Sequence, residues 1–226
     1  MAEKLTKQEL KEPDKLQVLF SKAMDILMQY KKEAMIASGV VVLILVIAVG
    51  WYFYRQSEEN SAMTLYNKAT EAYYRARGTG QDPLVVVKLF EDVVKNYSGT
   101  QAAAFSSYRM GNIYLSRGNV DGAIKVYQEY LNNQSTDNDF RVLVYNGLGY
   151  CYEAKKDWKS ALEYFEKAMN SKSGRDFEST NYQNVARAYE SMNDRAKALE
   201  YYKKAAEKAK EPAMKELLNR KISSLG

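Results

Sequence analysis

SYRMGNIYLSRGNVDGAIKVYQEYL, Ser107–Leu131, returns twice, as YNGLGYCYEAKKDWKSALEYFEKAM, Tyr145–Met169, and as YQNVARAYESMNDRAKALEYYKKAA, Tyr182–Ala206. In each copy a small residue (Gly111, Gly149, Ala186) stands three positions before a tyrosine (Tyr114, Tyr152, Tyr189). Nine residues after that tyrosine comes an alanine (Ala123, Ala161, Ala198), and four later an aromatic (Tyr127, Phe165, Tyr202). Spacings of three and four place residues on one face of a helix. The triplets Arg117-Gly118-Asn119, Lys155-Lys156-Asp157 and Met192-Asn193-Asp194 supply a turn in the middle of each copy. The small residue lets the two helices of a copy approach closely, and the aromatics fill the space between copies. The pattern predicts an all-α solenoid of stacked helical hairpins.

Those positions resemble the signature of the tetratricopeptide repeat. Gly111 to Gly149 is 38 residues and Gly149 to Ala186 is 37, against about 34 in the standard repeat. The surplus falls in the polar stretches Asn132–Asp139 and Asn170–Ser179, so the repeats are expected over 104–137, 142–175 and 179–212. A degenerate repeat is expected over 61–98. Its helix A would run from Ser61 to Arg77, and Val86, Phe90 and Val93 reproduce the helix-B spacing after a stretched GTGQDP loop. Pro212–Leu225 is expected as a cap helix that packs through Met214, Leu217, Leu218 and Ile222.

Composition narrows the function. The 226 residues contain no histidine and one cysteine, which removes the commonest general base and metal ligand and any internal disulfide. No catalytic, metal or cofactor-binding constellation is found, so no enzyme and no cofactor is expected. Net charge is +5, spread along the chain without a basic block, which argues against nucleic acid. Glu163 and Glu166 sit beside Lys159 and Lys167 as a solvated helix face rather than an acid–base pair. For Cys151 two readings stand, a small buried hydrophobe or an intermolecular disulfide.

Between Glu33 and Arg55 no residue is charged. As a helix, residues 34–54 span about 30 Å, the thickness of bilayer hydrocarbon. A core helix or a cleaved signal peptide fits less well, since some 33 residues precede the run and Trp51, Tyr52, Phe53 and Tyr54 end it as an interfacial belt. Four lysines precede the span within 20 residues and two basic residues follow it. With Lys31 and Lys32 at the boundary, this bias puts residues 1–33 in the cytoplasm and 55–226 outside it. Lys31, Lys32, Trp51, Tyr52 and Tyr54 would then lie at the membrane interface.

Within the N-terminal segment, Asp14 is expected to cap a helix. Leu16, Leu19, Phe20, Ala23, Met24 and Leu27 form its apolar stripe. This helix either lies on the cytoplasmic leaflet or docks on a membrane partner.

Tetratricopeptide arrays bind through helix-A positions two, five, nine and twelve. Here these are Phe105, Tyr108, Asn112 and Leu115, then Leu143, Asn146, Tyr150 and Glu153, then Thr180, Gln183, Arg187 and Glu190. The second positions are not basic, so a clamp for a C-terminal carboxylate is not expected. The aromatic and amide surface suits an extended peptide, with Tyr108 and Tyr150 as anchors. Alternatively both tyrosines pack on neighbouring helices or on the array's own N-terminal extension. Tyr114, Tyr152, Tyr189 and Phe165 are expected in the core.

The short N-terminal segment, the span ending in GWYFYRQ and the domain opening SAMTLYNKATEAY together resemble YfgM-like ancillary subunits of the bacterial Sec translocon. NYSGTQAAAFSSYRMGNIYLSRGN also resembles the periplasmic repeats of envelope factors related to the Tol-Pal coordinator. The resemblance implies a bacterial inner-membrane protein with a periplasmic scaffold. Its implied partners are translocon subunits, a membrane-tethered chaperone or folding factor, and nascent secretory chains. A structural assembly protein that self-associates into an envelope complex or filament is the other reading.

Overall fold

A computed structural model describes residues 15–133 and 139–226 of the chain. Asp14 and most of the polar stretch after Asn133 lie outside the described residues, as do the side chains of Leu16 and Leu27. The chain divides into two compact units, Met1–Gln56 and Ser57–Gly226. All regular elements among the described residues are helical.

In the first unit, α1 (Lys15–Gln29) is followed after Tyr30 by the first part of α2 (Lys31–Gly78), which holds the residues expected as a membrane span; the rest of α2, in the second unit, holds those expected as helix A of the degenerate repeat.

In the second unit, the last part of α2 presents Ala62, Ala69 and Ala76 as its buried residues. These alanines, seven apart, allow the close approach of α3 (Val87–Asn96), whose Phe90 and Val93 are fully buried. Val86, just before α3, is buried at the end of a 3₁₀ turn, Pro83–Val86. The three hairpins follow as α4 (Gln101–Ser116) with α5 (Val120–Asn133), α6 (Asp139–Ala154) with α7 (Trp158–Asn170), and α8 (Glu178–Ser191) with α9 (Arg195–Lys208). The last helix, α10 (Pro212–Leu225), packs on α9. Leu218 is its buried residue, flanked by the partly buried Met214 and Ile222. Leu217 stays 44% exposed, because at 100° per residue it lies a quarter-turn outside that face.

One turn geometry serves all three hairpins. Gly118, Lys156 and Asn193 take positive φ, at 75°, 59° and 62°. The next residue in each case donates its N–H five positions back, to Tyr114, Tyr152 and Tyr189, at 2.9 Å. The left-handed residue donates three back, to Leu115, Glu153 and Glu190. This is a Schellman motif closing each helix A. The same following residue then caps helix B: Asn119, Asp157 and Asp194 accept from the backbone of Gly122, Ser160 and Lys197. Three residues thus stop one helix and start the next.

The core is a row of clusters shared between successive hairpins. One joins Ala104, Ala123 and Tyr127 to Val144, Leu148 and Cys151. The next joins Ala161 and Phe165 to Val185 and Ala188. The ring of Tyr127 lies where a Cβ on Gly111 would fall, and that of Phe165 where a Cβ on Gly149 would fall. Tyr114, Tyr152 and Tyr189 are only partly buried. Tyr152 stacks on Tyr164 at 5.3 Å and Tyr189 on Tyr201 at 5.6 Å, so they cover the edge of the core rather than fill it.

One contact has no counterpart in the repeat pattern. The Glu59 carboxylate accepts from the backbone N–H groups of Gln101 and Ala102, at 2.8 and 3.1 Å. Together with Thr100, which accepts from Ala103 N–H, it satisfies the first turn of α4.

Candidate protein-binding groove

The A helices α4, α6 and α8 pack side by side, which brings the twelve helix-A positions into four rows. In the first row, Phe105 meets Phe140 edge-on at 4.6 Å and Tyr66 at 5.4 Å. Leu143 is half-buried and Thr180 exposed. An aromatic run therefore occupies the N-terminal end.

The second row holds Tyr108, Asn146 and Gln183. Tyr108 is half-buried, its ring 6.4 Å from Tyr127. Asn146 departs from its expected groove role: it is 6% exposed, donates to Asn181 Oδ1 and accepts from Asn184 Nδ2, each at 2.8 Å. Asn181 in turn donates to the Gly174 carbonyl. A buried amide must find partners, and this one finds them across the α6–α8 boundary. Gln183 is half-buried.

The third row is Asn112, Tyr150 and Arg187. Asn112 accepts from the Tyr127 hydroxyl at 2.8 Å. Tyr150 packs edge-on against Phe165 at 5.4 Å and shares hydrogen bonds with the Asn184 amide. Arg187 lies over the rings of Tyr150 and Phe165, at 5.6 and 5.8 Å, a cation–π arrangement. In the fourth row Leu115 is half-buried. Glu153 takes both prongs of Arg187, and Glu190 accepts from the Tyr202 hydroxyl and Lys221, each at 2.7 Å.

Electrostatics follow this division. Burial draws the Arg187 pKa down, but the Glu153 carboxylate more than restores it, so the guanidinium is held above its ordinary value. Glu190 is pushed up by burial and pulled further down by Lys221 and Tyr202. Burial raises the Tyr127 and Tyr202 phenols. The C-terminal half of the face is thus interlocked by charge and amide pairs. The N-terminal half keeps Tyr108, Leu115 and Leu143 partly buried and apolar, with Tyr108 and Leu115 packed against the core cluster around Tyr127.

A second concavity, a cleft of about 400 Å³, opens between α3, α4 and α5 over Ala103, Ala104 and Ser107, with Glu91, Lys95 and Lys125 at its margins. No triplet of His, Cys, Asp or Glu suited to a metal occurs among the described residues. Cys151 is fully buried and free. In the first unit, Lys31 and Lys32 are exposed, as are Trp51, Tyr52 and Tyr54, with Trp51 5.9 Å from Tyr54. By length and composition α2 contains one window apolar enough to cross a membrane, none of it buried.

The tetratricopeptide repeat family matches residues 100–174 and 141–211. The fold is a tetratricopeptide solenoid. The array superposes on nearly identical TPR-like repeats attributed to a Podosopora anserina kinesin light chain with a TM-score of 0.55. That match has 16% identity and covers 70% of this chain and 84% of that one. MamA of Desulfovibrio magneticus RS-1 superposes with a TM-score of 0.52 at 15% identity, covering 71% and 89%. Both likenesses are of fold alone. By sequence, Lipopolysaccharide assembly protein B of Escherichia coli K12 is 30% identical over 124 residues, 53% of this chain. The chain spans about a third of that relative's length, 31%. The Uncharacterized protein ycf37 of Cyanophora paradoxa is 32% identical over 60 residues, covering 26% of this chain and 35% of that one.

Proposed function

We propose that this protein is a membrane-anchored tetratricopeptide scaffold that holds other proteins at the bacterial envelope. Residues 34–54 anchor it in the inner membrane, residues 1–33 face the cytoplasm and residues 55–226 form the repeat domain in the periplasm. The observation that carries the proposal is the apolar set Tyr108, Leu115 and Leu143 on adjacent A helices, each only partly buried. It offers an extended chain ring and aliphatic contacts. Phe105, Asn112, Gln183 and the Arg187–Glu153 pair border it, and Tyr150 marks its closed end. The similarity to a lipopolysaccharide assembly protein supports a role in the envelope. The resemblance to YfgM-like subunits supports the finer reading, an adaptor at the Sec translocon that engages translocon subunits, a folding factor or emerging chains.

Two measurements test this. Protease added to spheroplasts should digest the repeat domain; a domain from Ala62 to Gly226 protected until the membrane is lysed contradicts the orientation. Membrane pull-down with mass spectrometry should recover envelope proteins with the wild-type chain. Tyr108→Ala should reduce that recovery about tenfold if the ring is a buried anchor. Recovery of only further copies of the chain would favour self-assembly and sink the adaptor.

A further inference from the structure

The helix before the anchor carries more apolar surface than the chain covers. In α1, Leu19, Phe20, Met24 and Ile26 are 66%, 70%, 50% and 60% exposed. At 100° per residue these side chains and Ala23 fall within one arc of about 160°. Ser21, Lys22, Asp25 and Gln29 make up most of the opposite side, together with the apolar Val18 and Met28. The Ser21 hydroxyl donates back to the Val18 carbonyl at 3.0 Å. The helix is two-sided, and its apolar side is open.

Chain geometry limits what can cover that side. Only Tyr30 separates α1 from α2, and the uncharged run begins at Ala34. A few helical residues rise about 5 Å. The headgroup layer on each side of the hydrocarbon is about 5–8 Å deep. If residues 34–54 span the bilayer, the C-terminal end of α1 is therefore at headgroup depth. Pointing away from the membrane, α1 would leave its apolar arc in water. Lying in the membrane plane, it buries that arc in the acyl boundary, and Lys22 at the edge of the arc reaches the phosphates.

We propose that α1 is an in-plane membrane helix, bound to the lipid bilayer through Leu19, Phe20, Ala23, Met24 and Ile26. Its charges, Lys22 and Asp25 among the described side chains, nearly cancel. Apolar contact rather than attraction to anionic lipid holds it, so the occupant is the bilayer itself. This rests on the anchor reading of residues 34–54.

The test uses the full chain with Cys151→Ala and single nitroxide labels at Phe20→Cys, Met24→Cys, Ser21→Cys, Asp25→Cys and Val42→Cys. Each variant is reconstituted in vesicles of phosphatidylethanolamine and phosphatidylglycerol, with circular dichroism as the check on folding. Power saturation should give oxygen-to-nickel-chelate accessibility ratios several-fold higher at positions 20, 24 and 42 than at 21 and 25. Nickel access at all four α1 positions, with Val42 still shielded, overturns the in-plane helix and leaves the anchor standing. Nickel access at Val42 removes the anchor and the proposal together. Shielding of 20 and 24 that disappears when the lipid-to-protein ratio is raised assigns the arc to a second copy. Shielding seen only in native membranes assigns it to a protein partner. Either of these last results also overturns the proposal.

Discussion

The Arg187 guanidinium forks onto the Glu153 carboxylate, with Nη2 2.8 Å from Oε2, and ties α8 to α6. The side chains are 33% and 23% exposed, between the surface pairs that contribute little and the buried pairs whose rupture is costly. Arg187→Ala leaves the Glu153 carboxylate without its guanidinium fork and removes a donor to Asn184 Oδ1. Its expected cost is about 1–2 kcal/mol after allowance for solvent screening. Arg187→Lys should recover only part of this, because lysine cannot make the fork. A double-mutant cycle with Glu153→Ala, read by denaturant midpoints of the detergent-solubilised chain, checks the coupling; additive losses would show that the two side chains act independently.

The glycine at the centre of the second hairpin is a packing requirement. Gly149→Ala places a methyl group into the ring of the fully buried Phe165. Overpacking of this kind costs about 1–3 kcal/mol. The third hairpin has Ala186 with Tyr202 at the same positions, so its helices accommodate the methyl group that Gly149 excludes. A thermal midpoint for Gly149→Ala equal to the wild type would contradict the close approach.

Lys156 pays for a left-handed backbone that Gly118 adopts freely in the first copy. Lys156→Gly should stabilise the protein by about 0.5–1 kcal/mol, the balance of relieved Cβ strain against added unfolded-chain entropy. A raised denaturant midpoint with an unchanged slope is the expected signature. A lowered midpoint would mean that the Lys156 side chain contributes more than its backbone costs.

Much of this was legible because the determinants are local. Gly111, Ala123 and Tyr127 recur with their counterparts at helical spacing, and the triplets ending in Asn119, Asp157 and Asp194 contain both the stop and the start signals. The interlocks between hairpins were not legible, because they join residues 34 to 38 apart that share no local pattern. Asn181 offered one sign, an amide at the phase where the preceding copy has the core residue Val144. The Glu59 cap on α4, reaching across 42 residues, had none. The same holds for Asn146: the repeat position suggests a groove residue, whereas its side chain is buried and its partners Asn181 and Asn184 come from the next hairpin.

Acid should weaken the C-terminal end. The Glu190 pKa is pushed up by burial but held below its ordinary 4.5 by Lys221 and Tyr202. A depressed carboxylate contributes its stability above the unfolded pKa and loses it as pH falls through the folded one. Stability should thus decline as pH drops below about 4.5, with Asp157, held low by Ser160, acting in the same direction. Glu190→Gln should flatten that slope in proportion to its share. An unchanged slope would remove Glu190 from the account.

Cys151 should be inert in the folded protein. Burial pushes its thiol up to about 12, and its side chain has no exposed surface. A thiol reagent at neutral pH should modify it only on unfolding; rapid labelling of the native chain would contradict the buried position.

The central claim is that the partly buried apolar residues Tyr108, Leu115 and Leu143 on α4 and α6 belong to a surface that holds a partner polypeptide. Photocrosslinkers placed at Tyr108 and, as an outer-face control, at the exposed Gln128 test it in intact membranes. The account predicts adducts with a different envelope protein or a secretory chain from position 108 and none of those from 128. Adducts only with further copies of the chain, or the same adducts from both positions, would contradict it.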